Sequence, residues 1–175
     1  MAKAYYSTII DAPVDRVWSA ARDFNGLGTW NAEMVPSCEI EDGKSGDQVG
    51  AIRNFKLADG AHLREKLHEH SDRDRTYSYD FQQHPFEGVE NYYATIHFLP
   101  ITDTDQTFVE WSTTFDCAPD QIDHWEDFYA TQVFKGALDA LKAYVAKGVT
   151  GRSTGSKACP SRSPTTPTRF ERTTS

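Results

Sequence analysis

The last third of this chain limits its folding options most. From Pro119 to about Lys147 the hydrophobic period is helical. Trp125, Tyr129, Val133, Ala137, Ala140 and Tyr144 form one stripe, and Phe128, Leu138, Leu141 and Val145 form a neighbouring one. Two adjacent stripes give a wide apolar face, more than an isolated amphipathic helix can leave in water. A broad, concave partner surface is required, and it has to come from the residues upstream.

Those residues read as strands. Runs near 35–42, 48–58, 61–70, 75–82, 89–100 and 106–117 are separated by the turn clusters "EDGKSGD", "ADG", "SDRDR", "HPFEG" and "TDTDQ". An alternating strand, "KAYYSTIIDA", comes earlier still. Between it and the others, "DAPVDRVWSAARDF" has Pro13 at a helix start, followed by Val14, Val17, Trp18 and Ala21 at helical spacing. "NGLGTWN" breaks that helix and opens a second short one. The expected class is α+β: a curved seven-stranded antiparallel sheet around a long C-terminal helix, with two short helices after the first strand. No internal repeat is present.

The turn "ADG" fixes a register. With Gly60 in the left-handed position of a three-residue hairpin loop, Leu57 faces Ala61, Phe55 faces Leu63, and Arg53 faces Glu65. Because strands alternate by two, all six share one phase, and that phase is apolar apart from the last pair. Directly opposed residues hold their Cβ atoms about 4.5–5.5 Å apart, within reach of an Arg–Glu ion pair. Two placements fit this pairing. It is either a polar floor in an apolar cavity, orienting a ligand carboxylate, carbonyl or hydroxyl, or a cross-strand pair at an exposed edge, where it contributes only about 0–1 kcal/mol.

The same alternation turns Tyr77, Tyr79 and Phe81 to one side, and Tyr92, Ala94, Ile96 and Phe98 to one side. On the last strand it turns Val109, Trp111 and Phe115 inward and leaves Glu110 outside. His62, His68 and His70 share a phase with Arg64 and Lys66, which reads as the solvent face and calls for no metal. Cys38 and Cys117 lack a partner with nucleophile or ligand spacing, and there is no GxSxG, P-loop or dinucleotide-binding signature. No cofactor is expected.

Charge and processing signals narrow the partners. Residues 1–150 carry 13 Lys and Arg against 25 Asp and Glu, a balance that repels nucleic acid. No stretch approaches the roughly 18–20 apolar residues of a membrane span. "MAKAYYSTII" has no signal-peptide character and the cysteines are few and odd in number, so the expected location is cytoplasmic. Residues 149–175 are rich in Ser, Thr and Pro, with Phe170 their only aromatic. Such a composition predicts a disordered tail behind a domain of residues 1–148.

The segments "IIDAPVDRVWSAARDF", "PSCEIEDGKSGDQVGAIRNFKL", "REKLHEHSDRDRTYSYDF", "ENYYATIHF" and "VEWSTTFD", with the order of elements, resemble the START-like helix-grip superfamily (SRPBCC). Within it, residues 4–146 look like the bacterial polyketide cyclase/dehydrase-like branch. The "REKL" and "NYYATIH" segments also resemble those of the plant abscisic-acid receptors. The resemblance implies a cavity between sheet and last helix that takes lipids, hormones, polyketides or other apolar molecules. It places Arg53, Glu65 and Tyr92 in the pocket, Trp30 at a cavity mouth, and Glu110, with Ser112, inside, against the alternation.

Together these readings give a candidate ligand-binding set of Trp30, Arg53, Phe55, Leu63, Glu65, Tyr77, Tyr79, Phe81, Tyr92, Ala94, Glu110, Tyr129, Val133 and Ala137. Ala137 on the long helix is small enough to leave room for a ligand. The favoured function is binding or carrying a small hydrophobic molecule. The alternative is a cyclase- or dehydratase-like enzyme with Glu65 as base and Tyr79 or Tyr92 polarising a carbonyl. The departures are informative. Pro36 stands where the plant receptors have a lysine that meets an acidic ligand, their gate loop is reduced to "LADG", and "HPF" at 84–86 replaces their latch. Abscisic-acid sensing is therefore not implied.

Overall fold

A computed structural model describes residues 1–150. The tail expected from residue 149 onward lies almost wholly outside the described residues. The elements are β1 (Ala2–Ile10), α1 (Val14–Ala21), α2 (Leu27–Trp30), β2 (Ser37–Ile40), β3 (Ile52–Lys56), β4 (His62–Ser71), β5 (Thr76–Gln83), β6 (Glu90–Ile101) and β7 (Gln106–Asp116), then a final helical run. That run comprises α3 (Ile122–Asp127), a π-helical segment (Phe128–Phe134) and α4 (Lys135–Thr150). All seven strands pair antiparallel in the order β1-β7-β6-β5-β4-β3-β2, so the first strand closes onto the last. This is the helix-grip arrangement expected from the sequence. No helix among the described residues is long and apolar enough to cross a membrane.

The concave face is filled at one end. Val17, Trp18 and Ala21 of α1 are buried, and Trp18 packs 5.4 Å from Phe98 and 6.2 Å from Tyr77 between ring centroids. Its indole Nε1 donates to Asp72 Oδ1 at 2.8 Å, tying α1 to the β4–β5 turn. Phe24 adds a ring edge-on to Tyr77 at 5.8 Å. The remaining concave surface is covered by the final helical run.

Irregularities in β4 and in the final helical run shift residues away from simple periodicity. Leu67 pairs with Tyr79 but Glu69 pairs with Ser78, so His68 is the extra residue of a bulge. Beyond it the phase inverts. His70 now opposes Tyr77, turns toward α1, and places Nε2 2.8 Å from the carbonyl oxygen of Arg22. The solvent-facing assignment of His70 is thus corrected, whereas His68 stays outside, with Nε2 2.9 Å from Asp80. In the long helix, the π-helical turn brings residues five apart onto one face. Tyr129 and Phe134 are both buried, with ring centroids 6.4 Å apart. Leu138, Leu141 and Val145 continue the core stripe, and Tyr144 of the other stripe is exposed.

Candidate ligand cavity

Beyond the α1 plug, a cavity of about 300 Å³ remains between the sheet and the final helical run. Its floor is the β3–β4 hairpin. Gly60 has φ +91°, and Leu57 N–H donates to Ala61 at 2.8 Å, closing the hairpin. Arg53 pairs with Glu65, and Phe55 with Leu63, in the register the "ADG" turn implies. Arg53 Nε donates to Glu65 Oε2 with side chains only 3 % and 5 % exposed, which excludes the exposed-edge placement.

The guanidinium is held by more than its carboxylate. Arg53 Nη1 donates to the Phe24 carbonyl at 3.2 Å, and its Cζ lies 4.0 Å from the Phe24 ring centroid and 4.8 Å from that of Tyr79. Burial pushes the Glu65 carboxyl above its ordinary range, and Arg53 pulls it part of the way back. Burial acts most strongly against the charged form of Arg53, but Glu65, together with Tyr79, Tyr77 and Cys38, more than offsets it and the guanidinium stays protonated. The pair is a buried, internally neutral unit.

The rest of the wall is mainly aromatic. Phe81 and Tyr92 stack at 3.8 Å between centroids, 14° from parallel. Tyr92 lies 5.1 Å from Tyr129, and Phe86 meets Tyr129 edge-on at 5.8 Å. Desolvation pushes the hydroxyls of Tyr79, Tyr92 and Tyr129 up from their ordinary range, so they remain protonated at neutral pH. Tyr129 Oη and Trp111 Nε1 are buried without a hydrogen-bond partner among the described residues.

Ten of the fourteen candidate residues line this cavity: Arg53, Phe55, Leu63, Glu65, Tyr79, Phe81, Tyr92, Tyr129, Val133 and Ala137. Four do not. Tyr77 faces inward but lies under the α1 plug, between Trp18 and Phe24. Ala94 is wholly buried, and its methyl is too short to reach past Tyr79, its neighbour on β5. Trp30 opens onto a separate outer groove between α2 and α4. Glu110 is on the convex face, accepting from Tyr5 Oη at 3.1 Å and lying 3.7 Å from His97 Nδ1. Alternation on β7 runs without a bulge there, burying Val109, Trp111, Thr113 and Phe115 and excluding Glu110.

The wall also takes Leu27, Asn31, Met34, Val35, Leu57, Asp59, Phe86, Trp111, Phe128 and Gln132, none of which is in the candidate set. Leu57 and Trp111 carried a usable signal, the inward phase of their strands. Phe86 and Val35 come from connections, where no period exists to read.

Residues 1–146 match the family described as polyketide cyclase / dehydrase and lipid transport. No curated protein matches the chain. Among solved structures, a protein from Nitrosospira multiformis is 30% identical with a TM-score of 0.71, covering 85% of this chain and 99% of its own. The protein XoxI from Bacillus cereus is 27% identical with a TM-score of 0.73, again over 85% and 99%. Norcoclaurine synthase from Thalictrum flavum, solved with dopamine and hydroxybenzaldehyde, shares the fold at 20% identity and a TM-score of 0.68, covering 83% of this chain and 86% of its own.

Proposed function

Because the chain belongs to the polyketide cyclase / dehydrase and lipid transport family, we propose that it binds and carries a small hydrophobic molecule in the cavity over its concave sheet. The ligand class is a lipid fragment, a polyketide or an aromatic metabolite, and the binding unit is residues 1–148. One observation carries the preference for binding over catalysis. The carboxylate buried in the wall, Glu65, is committed to Arg53, and the tyrosine hydroxyls around it are held far from a neutral-pH transition. That set of groups can orient a ligand, but its buried carboxyl is held by Arg53 and its tyrosine hydroxyls do not ionise near neutrality. The cavity volume is at the lower end of the roughly 300–1,000 Å³ typical of ligand pockets, which favours a compact molecule over a full-length acyl chain.

A second reading rests on the raised Glu65 carboxyl, a condition suited to a general base. With Tyr79 or Tyr92 polarising a carbonyl, the site would then perform cyclase- or dehydratase-like chemistry. It ranks second because Arg53 would have to release the carboxylate first.

The binding reading is tested with N-phenyl-1-naphthylamine, a neutral probe that fluoresces in apolar surroundings. The expected result is saturable one-to-one binding to the folded protein. Linear, unsaturable fluorescence up to the solubility limit of the probe would contradict it.

A further inference from the structure

One polar side chain in the cavity wall is buried, unpaired and still reachable. Asn31 ends α2. Its N–H donates to the Leu27 carbonyl at 3.0 Å, and its own carbonyl accepts from Met34 N at 3.1 Å and from Val35 N at 2.9 Å. The main chain is thereby satisfied and the side-chain amide is left over. The residue is only 8 % exposed, yet the amide has no hydrogen-bond partner among the described residues. Buried side-chain amides are seldom left so. Neither of its polar atoms is sealed off, unlike Trp111 Nε1 and Tyr129 Oη. Asn31 borders the cavity and also the outer groove, as Met34 does, so it stands at the outer margin of the cavity. The other polar groups of the wall are committed or solvated. Arg53 and Glu65 hold each other, the Tyr79 and Tyr92 hydroxyls engage each other, and Asp59 and Gln132 are exposed.

We propose that Asn31 reads the polar head of the ligand. The cavity then takes a molecule with an apolar body and an uncharged head that both donates and accepts hydrogen bonds, of the carboxamide or hydroxyl kind. This rests on the ligand-binding reading above and specifies its chemistry. A side-chain amide offers two donors and an acceptor. A ligand seated against it takes the place of water, so it must replace the hydrogen bonds of water or lose affinity. A hydrocarbon replaces none of them, a ketone meets the donors alone, and an amide or hydroxyl meets donor and acceptor. An anionic head is disfavoured. Asp59 borders the cavity, Glu33 and Asp139 share the adjoining groove with Lys147, and Arg53 is already divided between Glu65 and the Phe24 carbonyl. The apolar body is matched by the aromatic wall of Phe81, Tyr92 and Tyr129.

The test displaces N-phenyl-1-naphthylamine with four naphthalenes of nearly one shape: 2-naphthamide, 2-acetylnaphthalene, 2-isopropenylnaphthalene and 2-naphthoate. They carry an amide, a ketone, a hydrocarbon and an anion. Affinities are compared for the unaltered protein, Asn31→Leu, Asn31→Ala and, as a control on an exposed amide of the same wall, Gln132→Leu. The expected result is that the amide binds the unaltered protein at least about tenfold tighter than the hydrocarbon or the anion, with the ketone between. In both Asn31 variants the amide-to-hydrocarbon ratio should fall below about threefold while the hydrocarbon itself binds within about threefold of its original affinity. Gln132→Leu should change neither. Equal binding of amide and hydrocarbon to the unaltered protein, a preference that survives both Asn31 substitutions, its loss in Gln132→Leu, or tightest binding of the naphthoate would overturn the role of Asn31 and leave apolar binding standing. Loss of the hydrocarbon together with the amide in both Asn31 variants would also overturn it, by showing that the residue only shapes the cavity. If N-phenyl-1-naphthylamine does not bind saturably, or none of the four displaces it, the ligand-binding reading falls and the role of Asn31 falls with it.

Discussion

Glu65→Ala is expected to destabilise the fold by about 3–5 kcal/mol, the usual cost of leaving one partner of a buried ion pair behind. For a domain of this length that lowers the melting temperature by roughly 6–20 °C. The reason is local. Without Glu65, the guanidinium keeps the Phe24 carbonyl and the faces of Phe24 and Tyr79, none of which replaces the charge of the carboxylate. Arg53→Met combined with Glu65→Leu removes both charges and should recover most of the loss.

Arg53→Met alone behaves differently, because a carboxyl can discharge itself by protonation. Glu65 is already raised by burial, and losing Arg53 removes the influence that lowers it. The folded state then holds a proton that the unfolded state has released, so stability falls as pH rises from the unfolded carboxyl value through the folded one. The Arg53→Met penalty should therefore be small at acid pH and grow toward neutrality, while the Glu65→Ala penalty should shrink as pH rises past the ordinary carboxyl value, because the unaltered protein loses the stability its raised Glu65 carboxyl supplies and the variant has no carboxyl there to titrate. Thermal melts of the four proteins across pH check this. Near-zero, additive changes would mean that the pair is not buried as described.

Ala137→Trp is expected to cut N-phenyl-1-naphthylamine affinity by at least about tenfold, or about 1.4 kcal/mol, while the protein stays folded. Ala137 is in the cavity wall at the start of α4, and an indole there takes up space the probe needs. Overpacking should cost no more than about 1–3 kcal/mol of stability. Ala140→Trp is the control, because Ala140 faces the outer groove beside α2. It should leave probe binding unchanged. Equal losses in both variants would show that helix perturbation, and not cavity filling, is responsible.

Much of this site was legible because a single turn determines it. Gly60 makes the β3–β4 loop, the loop sets the register, and the register places Arg53 against Glu65. Alternation on β7 was likewise a sound guide, and where it conflicted with the family resemblance over Glu110, alternation was right. What alternation cannot give is depth. It puts Tyr77 and Tyr79 on the same face, but only the packing of Trp18 and Phe24 decides that Tyr77 is sealed under the plug while Tyr79 borders the cavity. Local insertions defeat it as well. One extra residue at His68 redirects His70, and a π-helical turn brings Phe134 into the core stripe. Neither leaves a recognisable trace in composition or spacing, since each depends on hydrogen bonds that form only in the assembled sheet and helix.

The central claim is that the cavity between the concave sheet and the final helix holds a small apolar molecule. Its most direct test is native mass spectrometry of protein freshly purified without detergent or organic solvent, before and after acid unfolding. The account predicts a one-to-one adduct on the folded chain that is released on unfolding and absent from Ala137→Trp. A spectrum showing only the bare chain, together with no saturable uptake of N-phenyl-1-naphthylamine, would contradict it.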